Sequence, residues 1–128
     1  MTSDQLNRLS KIILDSCLTV HREMGPGLLE SIYELCLLDE LKRCSIKVEN
    51  QVSIPLVYKG KELSKDFKID ILVEKEIILE IKSVDRLLPV HEAQIISYLK
   101  LSDKRLGFLV NFNVNLLKNG FRRFVHNF

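Results

Sequence analysis

Between Asp4 and Glu23 apolar residues fall at Leu6, Leu9, Ile12, Ile13, Cys17 and Val20. These steps of three and four predict an amphipathic helix, because a period near 3.6 gathers them on one face. Gly25-Pro26-Gly27 ends it, since glycine takes up backbone angles outside the helix and proline has no amide hydrogen to continue it. A second helix is predicted from Leu28 to Arg43. Its apolar residues Leu28, Leu29, Ile32, Tyr33, Leu35, Cys36, Leu38 and Leu41 exceed a single stripe, which predicts packing on more than one side.

After Ser45 the texture changes. Val48 to Tyr58 is rich in β-branched residues, and Lys59-Gly60-Lys61 has the composition of a hairpin turn. Phe67 to Val73 and Ile77 to Lys82 are predicted as two further strands, separated by Glu74-Lys75-Glu76. A third helix is predicted from Val90 to Leu101, a buried strand from Leu106 to Phe112, and an edge strand from Gly120 to Val125. The order is α-α-β-β-β-α-β-β with no internal repeat. A central mixed sheet flanked by helices (α/β, of the α+β type) is the packing solution for such a series. With 128 residues, the chain predicts a single domain, since two would leave each half short of core.

Composition narrows the class. A hydrophobic content of 46%, with five glycines and three prolines, argues against disorder. No uninterrupted apolar run approaches the roughly 18 residues of a membrane span, and the polar stretch Met1–Arg8 lacks a secretory signal's apolar segment. A cytoplasmic protein without a membrane partner is the expectation. Cys17, Cys36 and Cys44 form no Cys-x-x-Cys pair, and with His21, His91 and His126 they complete no zinc spacing. Packing is their expected role. Formal net charge is +2, yet residues 101–128 hold five basic residues and one acidic. Lys104, Arg105, Lys118, Arg122 and Arg123 could therefore meet phosphates; ordinary surface solubilisation reads the same way.

The chemistry concentrates in Ile69-Asp70-Ile71-Leu72-Val73 and Ile77-Ile78-Leu79-Glu80-Ile81-Lys82. Alternation along a strand puts Glu80 and Lys82 on one face and Leu79 and Ile81 on the other. A turn centred on Lys75 sets Asp70 across from Glu80, with Cβ atoms roughly 5 Å apart. Two such carboxylates repel, and one would take up a proton if buried without a cation. A hard divalent ion resolves that conflict, and Lys82 could then orient a water or meet charge on a phosphate. A cross-strand salt bridge on a solvated face is the plainer reading, because E-x-K alone is a common strand pattern. Gln94 and Tyr98 share a helix face, with His91 just before them as a surface or capping residue. Glu30 and Tyr33 follow the Gly-Pro-Gly break. Tyr33 suits core packing with its hydroxyl at the edge, and Glu30 suits a helix N-terminus.

Together these residues resemble a family. Gly27-Leu28-Leu29-Glu30-Ser31-Ile32-Tyr33 is similar to the signature of the GxxExxY proteins, a small prokaryotic group within the PD-(D/E)XK nuclease superfamily. The likeness runs from Ile12 to Phe124 and takes in Gly25-Pro26-Gly27, Asp70, Glu80-Ile81-Lys82, His91-Glu92-Ala93-Gln94, Tyr98 and Asn111-Phe112. Gln94 and Tyr98 also resemble a helix motif of RecB-type exonucleases.

The resemblance implies a restriction-endonuclease-like core with a mixed sheet between helices. It implies that Asp70 and Glu80 bind Mg²⁺ (Mn²⁺ as substitute) with the carbonyl of Ile81, that Glu30 approaches the metal, and that Lys82 stands near the attacking water. Gln94 and Tyr98 would brace the site or touch the phosphate. Ile69 stands where the family's pattern has a proline, a departure the superfamily tolerates. The leading expectation is a Mg²⁺-dependent nuclease acting on DNA, with a homodimer as the assembly that would handle two strands. The alternatives are a nucleic-acid-binding module that keeps the fold without useful turnover, and a structural or regulatory partner protein.

Overall fold

A computed structural model describes all residues 1–128. Helices α1 (Ser3–Met24) and α2 (Glu30–Arg43) precede strands β1 (Val48–Tyr58), β2 (Lys61–Val73) and β3 (Ile77–Lys82). Helix α3 (Pro89–Ser102), strand β4 (Leu106–Asn111), a 3₁₀ turn at Leu117–Asn119 and strand β5 (Phe121–Val125) complete the chain. The five strands form one sheet in chain order, antiparallel except for the parallel pair β3–β4. Parallel neighbours need a long crossover, and α3 supplies it.

The sheet is covered on both faces. Ile71, Val73, Leu79, Ile81, Phe108 and Val110 face α1 and α2 in the larger core, while Leu72, Ile78 and Leu109 face Ile95 and Leu99 of α3 in the smaller one. No helix is long and apolar enough to cross a membrane. Cys17 is buried in the larger core, and burial pushes its thiol pKa up. No disulfide forms among the three cysteines.

Two expectations change. Helix α2 starts at Glu30 rather than Leu28, because the extended backbone of Leu29 caps it. It packs on one side only: Tyr33, Leu37, Leu38 and Leu41 are buried, whereas Leu29 and Leu35 are 71% and 67% exposed. The excess apolar residues face outward because no element of the chain lies beyond them. Strand β2 also begins six residues before the expected Phe67, so β1 and β2 form a long ribbon around Lys59 and Gly60.

Loops at the C-terminal ends of β3 and β4 are pinned to the helices. The buried Tyr33 stacks on Phe112 with ring centroids 4.6 Å apart. Its hydroxyl donates to the Gly25 carbonyl (2.5 Å) and accepts from the Leu28 N–H (3.1 Å). Ser83 Oγ donates to the Leu28 carbonyl (2.5 Å), and His21 Nε2 meets the Val114 carbonyl at 2.7 Å. The Gly-Pro-Gly turn, at φ +69° and +96° for its glycines, is thus held beside the strand ends.

Candidate active site

Strand β2 pairs with β3 at Val73 and Ile77, Leu72 and Ile78, and Ile71 and Leu79. Glu74, Lys75 and Glu76 make the turn between them, the first two at positive φ. One step further the same register sets Asp70 across from Glu80, and there side chains take over from the backbone ladder. The Asp70 N–H donates to Glu80 Oε2 at 2.9 Å, and the Ile81 N–H donates to Asp70 Oδ2 at 2.8 Å. The expected facing of the two carboxylates is therefore present.

The two strands part at this point. Ile71 and Val73 face the larger core, but Ile69 and Leu72 both face α3. Residues three apart cannot share a face in a regular strand, so the alternation breaks at Asp70. The neighbouring strand breaks opposite it: Gln51 has φ +51° between the pairs Asn50–Ile71 and Val52–Ile69. Beyond this kink Val52 and Ile54 pack toward α3, and Phe67 stacks on Tyr98 at 4.7 Å. The ribbon leaves β3 behind, and the acidic pair sits where it departs.

Glu80 is only 3% exposed. Burial first, and then the charge of Asp70, pushes its carboxyl up to about 8, against the pull of Lys82. Every buried side-chain oxygen has a partner, so the Glu80 oxygen that accepts no protein hydrogen bond opens to solvent. Two further groups feel the same charges. Burial raises the Tyr98 phenol, helped by Glu80 and Asp70, and Gln94 Nε2 donates to its oxygen at 3.1 Å. Burial also raises the carboxyl of Glu34, with Asp70 and Glu30 adding to it.

No three His, Cys, Asp or Glu side chains are grouped closely enough to hold a metal ion by themselves. The donor chemistry nevertheless suits a hard cation. Two facing carboxylates, Asp70 and Glu80, would leave the remaining positions to water, which is how Mg²⁺ prefers to be held.

The profile of the PD-(D/E)XK nuclease superfamily matches residues 7–124. The chain belongs to this superfamily. No curated protein and no solved structure matches the chain. The five-stranded mixed sheet between helices, in the expected element order, is the restriction-endonuclease-like fold of the PD-(D/E)XK nucleases.

Within this PD-(D/E)XK fold the remaining residues spread unevenly. Lys82 ends β3 two residues after Glu80, near enough for its charge to act on that carboxyl. Gln94 and Tyr98 project from α3 on the same side. Glu30 is exposed at the start of α2. Its neighbour one turn on, Glu34, is tied to the site: Gln51 Nε2 donates to Glu34 Oε1 at 2.9 Å and to Asp70 Oδ1 at 3.4 Å. Sequence reasoning missed Glu34 and Gln51. The i, i+4 spacing from Glu30 could have flagged Glu34, but nothing local marks Gln51. His91 caps α3, its Nδ1 accepting from the Leu88 N–H at 3.0 Å.

The basic residues do not converge. Arg105 donates to the Met1 carbonyl and Ser3 Oγ, Arg122 pairs with Glu92 at 2.7 Å, and Arg123 donates to Asn7 Oδ1. Lys104 and Arg105 precede β4 at the end where Ile77 begins β3, whereas Lys118 lies toward the end where Asn111 meets Lys82.

Proposed function

We propose that this PD-(D/E)XK protein is a metal-dependent nuclease that hydrolyses phosphodiester bonds in DNA. The observation that carries the reading is the pair Asp70 and Glu80, facing across two parting strands with Glu80 buried and its carboxyl raised by burial and by Asp70. Asp70, Glu80 and the Ile81 carbonyl would hold Mg²⁺, or Mn²⁺ in its place, with Glu30 approaching from α2. When bound, such a cation lowers the pKa of water and offsets negative charge on a phosphate.

The chain's own groups supply the rest. Lys82 orients the attacking water and counters charge on the phosphate. The Tyr98 hydroxyl, held by Gln94, braces the scissile group by hydrogen bonding. Of Lys104, Arg105, Lys118, Arg122 and Arg123, which the fold divides, Lys118 at the end that carries the acidic pair contacts the nucleic-acid backbone. The Gly27–Tyr33 signature supports placement in the GxxExxY group. A cytoplasmic location and a homodimer complete the reading, with Leu29 at the cap of α2 and the outward Ile32 and Leu35 of the helix available for subunit contact.

Titration of the purified protein with Mn²⁺ tests the centre of this reading. Binding that Glu80→Ala abolishes supports it, and unchanged binding removes the metal assignment. Incubation with single-stranded, double-stranded and branched DNA, and with RNA, then assigns the substrate. Nucleic acid bound but left intact would favour a nuclease-fold binding module instead.

A further inference from the structure

Seven non-glycine residues have positive φ, and Gln51 alone lies inside a strand. Its φ of +51° is a left-handed conformation that L side chains resist and glycine accepts. A kink by itself would favour glycine at this position, so the side chain has its own work. That side chain reaches two acids from different elements, Glu34 Oε1 of α2 at 2.9 Å and Asp70 Oδ1 of β2 at 3.4 Å. Ionised carboxylates only accept, so the amide nitrogen must face both.

The consequence for Asp70 is a partner on each oxygen, the closer at Oδ2 (2.8 Å) and the longer at Oδ1 (3.4 Å). Its Oδ2 accepts from the Ile81 N–H and its Oδ1 meets the Gln51 amide. The consequence for Glu34 is placement, because this amide ties α2 to the kinked strand at the acidic pair. Two like charges would otherwise push Glu34 and Asp70 apart. The positive end of the amide dipole lies where it offsets both.

We propose that Gln51 is a positioning residue: its strained backbone aims a side-chain amide that, anchored on Glu34 of α2, holds Asp70 in place for the cation. This rests on the metal reading above, and it deepens that reading by adding the group that orients Asp70 and the acid that anchors that group.

Glycine at this position separates the amide from the kink. Gln51→Gly keeps the backbone angle at no steric cost, so the thermal midpoint should hold or rise. Mn²⁺ affinity should nevertheless fall about tenfold, the lower end of what losing a partner that orients a ligand costs. Glu34→Ala should weaken binding similarly, and the double variant should be no worse than either alone. A metal-free readout runs beside it: the Gln51 side-chain amide signal in ¹⁵N NMR should move in Glu34→Ala and stay put in Glu23→Ala, a distant control on α1. Wild-type Mn²⁺ affinity in Gln51→Gly, or an amide signal indifferent to Glu34, overturns the proposal. Wild-type protein that binds no Mn²⁺, with the amide signal still dependent on Glu34, overturns the metal reading alone and supports the clamp.

Discussion

Glu80 carries an ionisable group into the sheet with one backbone N–H as its donor, and the cost falls on its charged form. Its folded pKa of about 8 lies above the ordinary 4.5, so the native state keeps a proton that the unfolded chain has already released. The stability this contributes is fully present below about 4.5 and is lost as pH rises through about 8. The thermal midpoint of metal-free protein should therefore fall between about pH 5 and 8.5, and Glu80→Gln should flatten that fall. Calorimetry across the pH series checks it. Cation binding must displace the same proton, so Mg²⁺ affinity should climb with pH over this range. Asp70 and Glu80 were legible in the sequence because strand register and a three-residue turn are local geometry. Glu34 and Gln51 were not, since their meeting depends on how α2 lies against a kink in β1.

At the scale of elements, the strand ends are set by close backbone contacts. A Cβ on Gly120 would stand 2.2 Å from the Asn111 carbonyl oxygen, well inside contact distance, and the Asn111 N–H donates to the Gly120 carbonyl at 2.8 Å. The buried Asn111 side chain in turn clasps Val84, accepting from its N–H at 3.0 Å and donating to its carbonyl at 2.9 Å. Gly120→Ala should cost about 1–3 kcal/mol and loosen the segment that follows Lys82. A lower denaturation midpoint with faster amide exchange at Val84 is the expected result. Helix and strand order followed from periodicity, and β3 and β1 were placed to the residue. The outward face of α2 was misjudged because apolar content reports hydrophobicity, whereas burial depends on what else the chain can bring to that face.

For the whole molecule, the C-terminal basic excess is a sum that the fold divides. The register pairs Ile77 with Leu106 and Lys82 with Asn111. Arg105 therefore lies about four residues, on the order of 13 Å, from the level of Glu80 along the sheet. Lys118 lies toward the other end, near the strand termini that carry the acidic pair. If DNA crosses those termini, Lys118→Glu should weaken binding more than Lys104→Glu and should reduce its salt dependence more. Fluorescence anisotropy at several salt concentrations measures both.

Whether Asp70 and Glu80 support phosphodiester hydrolysis is decided by cleavage of labelled DNA in Mg²⁺, with wild type, Asp70→Ala and Glu80→Ala run side by side and chelator as a control. Metal-dependent strand scission by the wild type, falling about a hundredfold or more in each variant, is the expected result. Scission that persists in both variants, or that ignores chelator, would contradict it.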